Sequence, residues 1–183
     1  LTSLLGYLET LSLKADRLTM EENKQYLNIA LRQGNKVRHL SQQLFELARL
    51  EHGGIKPQPE TFVLAELVQD VAQKFDLPIA TRNIGLRLEL ATGLPPITAD
   101  LSMIERVLTN LLDNAIRHTP EGGLIRLAAR RSGPEFIVEV ADSGPGIGSE
   151  LRATLFERPS VLAPGAQSAS RGGLGLMIVR RML

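Results

Sequence analysis

The sequence predicts an α+β chain: a helical hairpin that forms a dimeric four-helix bundle, followed by an α/β sandwich. Two observations carry this. Over residues 1–51 the apolar side chains recur only at helical spacing. Beyond them, segments of helical and strand period alternate in the order helix, strand, helix, strand, strand, helix, which is a layered pattern. The 183 residues suffice for one or two domains with a sizeable core.

The first helix is read from Leu1, Leu4, Leu5, Leu8 and Leu11. Its stripe fades over Lys14 to Arg17. Thr19, followed three residues later by Glu22, makes a capping box for a second helix from about Met20 to Glu51. Leu27, Ala30, Gly34, Val37, Ser41, Leu44 and Ala48 alternate steps of three and four along it, and Leu31, Leu40 and Leu47 widen the stripe. A lone hairpin cannot bury faces this broad, so the expected assembly is a homodimer. The alternative is a hairpin packed on its own second domain. Gly53-Gly54 is expected to end the helix, and residues 53–61 (GGIKPQPET) to form a linker.

The second domain is expected over residues 62–183, against 1–52 for the hairpin. Phe62 to Phe75 reads as an amphipathic helix and Asn83 to Leu90 as a half-buried strand. A short strand follows at Ile97 to Ala99. Asp100 is placed to cap a helix reaching about His118. Leu124 to Ala129 and Phe136 to Ala141 alternate as two strands joined through Ser132-Gly133-Pro134. Residues Pro159 to Gly173, rich in Ala, Ser and Gly, are expected to be mobile.

The bulk numbers mainly exclude. A net charge of +1, from 21 basic and 20 acidic side chains, gives no reason to expect a nucleic-acid surface or a polybasic membrane anchor. No cysteine is present, and His39, His52 and His118 do not make a metal-ligand spacing. No stretch approaches the ~18 apolar residues of a membrane span, and no signal peptide is visible. The chain begins and ends inside apolar-periodic segments, as a fragment would, so a membrane-spanning region is expected to be compatible with it upstream.

Three stretches carry chemistry. In ERVLTNLLDNAIRHTP, Asn110 and Asn114 share a helix face, with Arg106 a turn before and Arg117 about a turn after. A carboxamide oxygen is a hard, neutral ligand suited to Mg²⁺, and arginine holds phosphate oxygens through charge-assisted bonds. A solvated polar face is the plainer alternative. Next, Asp142-Ser-Gly-Pro-Gly-Ile-Gly148 directly follows a strand. Its glycines suit close approach of a flat ligand, and its carboxylate can accept a hydrogen bond from an exocyclic amine; a glycine-rich turn with an Asx cap is the alternative. Finally, Arg171-Gly-Gly-Leu-Gly-Leu176 opens a last helix, where exposed N–H groups and the helix dipole favour an anion. A loop-to-helix junction with close packing would look the same. No GxxxxGK[ST] motif and no early GxGxxG is present.

In this order NLLDNAIRHTP, DSGPGIG, LFERP and GGLGL resemble the N, G1, F and G2 boxes of the sensor histidine kinases of bacterial two-component systems. The second domain is similar to the ATP-binding fold those kinases share with gyrase-type topoisomerases, a heat-shock chaperone and mismatch-repair ATPases. LTSLLGYLETL looks like the helix just downstream of the family's H box. The resemblance implies ATP and Mg²⁺ as cofactors. Asn114 would coordinate the metal, with Asn110 beside it near the phosphates and Arg117 on phosphate oxygens. His118 would lie near the nucleotide. Asp142 would read the adenine amine, and Gly144, Gly146 and Gly148 would shape the adenine and ribose wall. Phe156 would pin the hinge of a lid from Glu157 to Gly172, and Gly172, Gly173, Leu174 and Gly175 would wrap the triphosphate. Arg171 is the candidate for the γ-phosphate.

It also implies a response-regulator receiver domain as partner and a place in the cytoplasmic portion of an inner-membrane sensor, with no direct membrane contact in this stretch. The chain departs from the family pattern twice. The phosphate-accepting histidine would lie just before Leu1, so the fragment is not expected to autophosphorylate. After Phe156, Arg158-Pro-Ser-Val-Leu replaces the usual aromatic- and Arg-rich run. In ATP hydrolases of this fold a glutamate general base stands at the position of Asn110, and an amide cannot take its proton. A hydrolase of the same fold and a degenerate nucleotide-binding or dimerisation module remain the alternatives.

Overall fold

The computed structural model describes residues 2–13, 18–51, 56–148 and 173–183. The chain divides into two compact units, Leu1–Ala48 and Arg49–Leu183.

The first unit contains helix α1 (Thr2–Leu13) and most of α2 (Met20–Glu51). The capping box at the start of α2 is closed in both directions. Glu22 N–H donates to Thr19 Oγ1 at 3.2 Å, and Thr19 N–H donates to Glu22 Oε2 at 2.8 Å. The two helices meet at Tyr7 and Tyr26, whose ring centroids lie 5.9 Å apart. Ala30, Gln43 and Leu47 are buried within the unit. Much of the apolar stripe expected from the sequence is not: Leu27, Leu31 and Leu44 are exposed, as are Leu5, Leu8 and Phe45. Among the described residues no helix is long and apolar enough to cross a membrane.

The second unit is two layers. Its elements are β1 (Glu60–Phe62), α3 (Leu64–Gln73), α4 (Asp76–Thr81), β2 (Gly85–Leu90), β3 (Ile97–Ala99), α5 (Leu101–His118), β4 (Leu124–Ser132), β5 (Glu135–Asp142) and α6 (Gly173–Met182). Among the described residues β2, β4 and β5 form one sheet with β4 central, parallel to β2 and antiparallel to β5. β1 and β3 pair antiparallel by themselves, Thr61 opposite Thr98.

Two expectations are corrected here. Residues 60 and 61, read as linker, form a strand with Phe62, because the extended β3 supplies a partner for their backbone groups. The helix expected from Phe62 to Phe75 therefore starts at Leu64, and a short helix, α4, follows it before the strand.

Periodicity explains which faces meet. α3 buries Leu64, Leu67, Val68, Val71 and Ala72, a single stripe at helical spacing. α5 buries Leu108, Leu112, Ala115 and Ile116. Opposite them β4 presents Ile125, Leu127 and Ala129, at strand period. Burying these side chains, at about 1.5–3 kcal/mol for each large one, is the main drive for this layer pairing. Its other face carries ion pairs: Glu89 receives Arg87 at 2.9 Å and Arg126 at 3.2 Å, and Arg130 reaches Glu139 at 3.6 Å. α6 packs against α5 and buries Leu174, Leu176, Ile178 and Val179.

Candidate nucleotide-binding site

The candidate site grows from the two ends of α5. At its start Asp100 is the N-cap: Met103 N–H donates to its Oδ1 at 2.9 Å. Its Oδ2 accepts from Gln58 N–H at 2.7 Å. One carboxylate thus fixes both the start of the helix and the segment leading into β1. These two bonds, Gln58 first, hold its carboxyl below the usual carboxylate range.

Further along, Asn110 is 8% exposed, and its Nδ2 donates to the carbonyl of Arg106 at 3.0 Å. With the amide nitrogen so engaged, its oxygen is the group left to accept. Asn114, one turn on, is half-buried. Its side chain makes no hydrogen bond among the described residues, so its carboxamide oxygen can accept. Arg117, expected on phosphate, forms an ion pair with Asp113 one turn back. His118, the last residue of the helix, is exposed.

The helix ends under tight control. Thr119 is fully buried, and both its N–H and its Oγ1 donate to the carbonyl of Ala115, at 2.9 and 2.7 Å. Arg82, from the connection between α4 and β2, donates from Nη1 to the carbonyl of Ile116 and from Nη2 to that of Thr119, the latter at 2.8 Å. In the sequence Arg82 shows only as a cation just before a strand.

The second half of the site comes from β5. Phe136, Val138 and Val140 alternate toward the helix layer, and the next position in that row is Asp142, opposite the fully buried Ile125. The strand period therefore sets Asp142 on the side of the sheet that faces α5. Its Oδ1 accepts from Gly144 N–H at 2.8 Å, closing an Asx turn. Its Oδ2 has no partner among the described residues. Ser143 is locked to β4 twice, N–H to the carbonyl of Leu124 at 3.0 Å and Oγ accepting from Leu124 N–H at 2.9 Å.

Gly144 then lies on the end of α5. A Cβ there would come within 2.7 Å of the His118 carbonyl oxygen and 2.6 Å of Asp142 Oδ1. Gly146 has φ +73°, a conformation that favours glycine, whereas a Cβ at Gly148 would meet nothing within 4 Å. Leu174 and Gly175 are buried at the start of α6, which packs on α5 and which Gly173 opens. Phe156, Arg171 and Gly172, with the expected lid from Glu157 and the expected mobile stretch, lie outside the described residues, as does His52.

Asn110, Asn114 and His118 thus share one helix, the Asp142 turn is seated on that helix's end, and the glycine-bearing α6 packs along it. A two-layer sandwich with these parts defines the ATP-binding fold shared by histidine kinases, gyrase B and a heat-shock chaperone. Residues 99–183 match the model of the histidine kinase-, DNA gyrase B- and HSP90-like ATPases, and residues 1–53 match the His kinase A phospho-acceptor domain. The catalytic domain of the histidine kinase ThkA is 32% identical, with a TM-score of 0.59 over 68% of this chain and 79% of that one. The chain belongs to the sensor histidine kinases of bacterial two-component systems.

Among relatives, the alginate biosynthesis sensor protein KinB of Pseudomonas aeruginosa is 35% identical over 140 residues, 76% of this chain and 23% of its own length. The chain thus spans about a quarter of that relative. Full-length ShkA in complex with AMPPNP is 27% identical, with a TM-score of 0.73 over 99% of this chain and 38% of that one. ThkA in complex with the response regulator protein TrrA is 29% identical, with a TM-score of 0.70 over 85% of this chain and 45% of that one.

Proposed function

We propose that this chain is the core of a protein-histidine kinase that binds MgATP between α5 and the 142–148 turn and donates the γ-phosphoryl group to a histidine. That histidine lies upstream of residue 1, and the phosphoryl group passes on to an aspartate of a response-regulator receiver domain. The observation that carries the reading is the seating of Gly144 on the His118 carbonyl. It joins the helix of the two carboxamides to the turn of the lone carboxylate, so a ligand can touch both.

The roles follow from the donor and acceptor inventory. Asp142 keeps one oxygen in its own turn and offers the other to the adenine amine. The Asn114 carboxamide oxygen is the protein ligand to Mg²⁺, an ion that takes few protein ligands and shares phosphate oxygens. When bound, the ion neutralises charge on the transferring phosphoryl group. Asn110 orients the phosphates by donating the second hydrogen of its amide nitrogen, the first being held by the Arg106 carbonyl. Arg117 meets a phosphate while pivoting about Asp113. Gly146 and Gly148 line the adenine and ribose. Gly173, Leu174 and Gly175 present N–H groups at the start of α6, Gly172 joins them in wrapping the triphosphate, and Phe156 and Arg171 serve the lid and the γ-phosphate. In support, the related kinase ShkA forms a complex with AMPPNP.

Transfer rather than hydrolysis is favoured at Asn110. A buried amide cannot act as general base, and the nearby carboxylate of Asp113 is engaged by Arg117. Catalysis then depends on bringing an acceptor nitrogen in line with bound ATP.

The organisation we propose is a dimerisation and phosphotransfer hairpin over 1–52, a linker region, and a catalytic domain to 183. Leu31 is 63% and Leu44 60% exposed on α2. Such apolar rows on a helical hairpin are covered by a second copy, giving a four-helix bundle. The related kinase ThkA forms a complex with a response regulator, and the regulator of this protein docks in the same manner. The whole protein is a sensor whose kinase portion lies in the cytoplasm. The decisive experiment is calorimetric titration of the chain with MgATP, followed by incubation with γ-labelled ATP. Binding without an acid-labile adduct is expected; no binding at millimolar nucleotide sinks the reading.

A further inference from the structure

Resting on that nucleotide reading, we propose that Arg82 is a positioning residue of the site, clamping the end of α5 on which the Asp142 turn is seated. Arg82 touches no candidate ligand position itself. Its two terminal nitrogens reach two different carbonyls, of Ile116 and Thr119, that bracket His118. Between them lies the His118 carbonyl, the surface under Gly144. Gly144 N–H in turn holds Asp142 Oδ1 at 2.8 Å. An unbroken series of contacts therefore runs from the Arg82 guanidinium to the carboxylate proposed to read adenine.

Three physical points make the clamp more than a helix cap. The last carbonyls of a helix have no intrahelical donor, and a cation beside them gains from the helix dipole. The guanidinium is a rigid planar fork, so it fixes the spacing of two acceptors at once, which a single ammonium on a flexible stem does not. The backbone carrying Arg82 is itself pinned on the far side: Gly122 N–H donates to the Asn83 carbonyl at 2.9 Å and Gly85 N–H to the Gly123 carbonyl at 2.8 Å. Asn83 adopts φ +50° there, which turns the chain between Arg82 and the strand. The clamp thus has a fixed base and a fixed grip.

The test compares the wild-type chain with Arg82→Met, which removes every donor at similar length, and Arg82→Lys, which keeps the charge and one grip. Two quantities are read in folded protein: amide hydrogen exchange at Gly144 without nucleotide, and the Kd for MgADP. Arg82→Met is expected to speed exchange at Gly144 and weaken MgADP about 10-fold, while central β4 amides such as Leu127 stay protected. Arg82→Lys is expected to fall between the two. A lower Tm with wild-type exchange at Gly144 and wild-type Kd would make Arg82 an ordinary cap and overturn the proposal. If Arg82→Met does not fold, an Arg82→Lys protein that is wild-type in both readouts overturns it equally. Failure of the wild type to bind MgADP would bring down the nucleotide reading, and Gly144 exchange would still decide the coupling.

Discussion

Gly144 rests against the backbone of His118 so closely that a methyl group at 144 would sit 2.7 Å from the His118 carbonyl oxygen. The contact is backbone on backbone, so no side chain can swing away to make room. It fixes the distance between the carboxamide helix and the carboxylate turn. Gly144→Ala should therefore cost about 1–3 kcal/mol of stability by overpacking and lose most nucleotide affinity, read by thermal melts and calorimetry. Gly148→Ala is the control in the same turn: with open space around its Cβ it should stay near wild type. Equal effects of the two substitutions would show that the seat on His118 does not matter.

Asn110 separates a kinase from a hydrolase. Asn110→Glu puts a carboxylate at a position that is 8% exposed, and burial raises its pKa toward the range of a useful base. ATP hydrolysis by the chain should rise strongly, measured as released phosphate. Asn114→Ala should instead weaken nucleotide binding in a Mg²⁺-dependent way. An Asn110→Glu protein that binds MgATP but hydrolyses it no faster would argue against the proposed role.

Asp100 gives a pH dependence with a definite sign. Gln58 N–H and Met103 N–H both bind its ionised form, so its folded pKa lies below the unfolded value. Its contribution is present above the unfolded pKa, near 4 for aspartate, and is lost as pH falls through the folded pKa. Wild type should thus lose stability on acidification below about pH 4 more steeply than Asp100→Asn, which keeps the helix cap but not the acceptor for Gln58. Asp100→Ala should lower stability at neutral pH through the lost cap. Denaturant melts across pH 3–7 check both.

The apolar face of α2 predicts a self-association that a point change can undo. Leu31→Glu with Leu44→Glu places charges on two exposed leucines and leaves Ala30, Gln43 and Leu47, the buried residues of α2, untouched. The doubly substituted chain should keep its helical circular dichroism and sediment as a monomer where the wild type sediments as a dimer. A wild-type monomer at high concentration would remove the four-helix-bundle reading.

Wherever a segment's period alone selects its partner face, the structure follows the sequence. The capping box at Thr19 and Glu22, the span of α2, the Asp100 cap, and the strands of Leu124 and Phe136 all depend on neighbours within a few residues, and a local pattern specifies them. The candidate site was legible for a related reason. Its chemistry sits in short runs, and strand alternation through Phe136, Val138 and Val140 carries Asp142 onto the helix side.

Long-range pairing was not legible. Glu60–Phe62 became a strand because Ile97–Ala99 lies beside it, and nothing in three residues announces a partner more than thirty positions away. Arg82 reads in the sequence as one more surface cation. Its grip on the Ile116 and Thr119 carbonyls exists because packing brings the α4–β2 connection to the end of α5. By itself the sequence determines which donors and acceptors each segment carries and on which face, since residue type and period are local properties. Tertiary structure decided which of them meet, because distance between remote segments is set by the core they bury together.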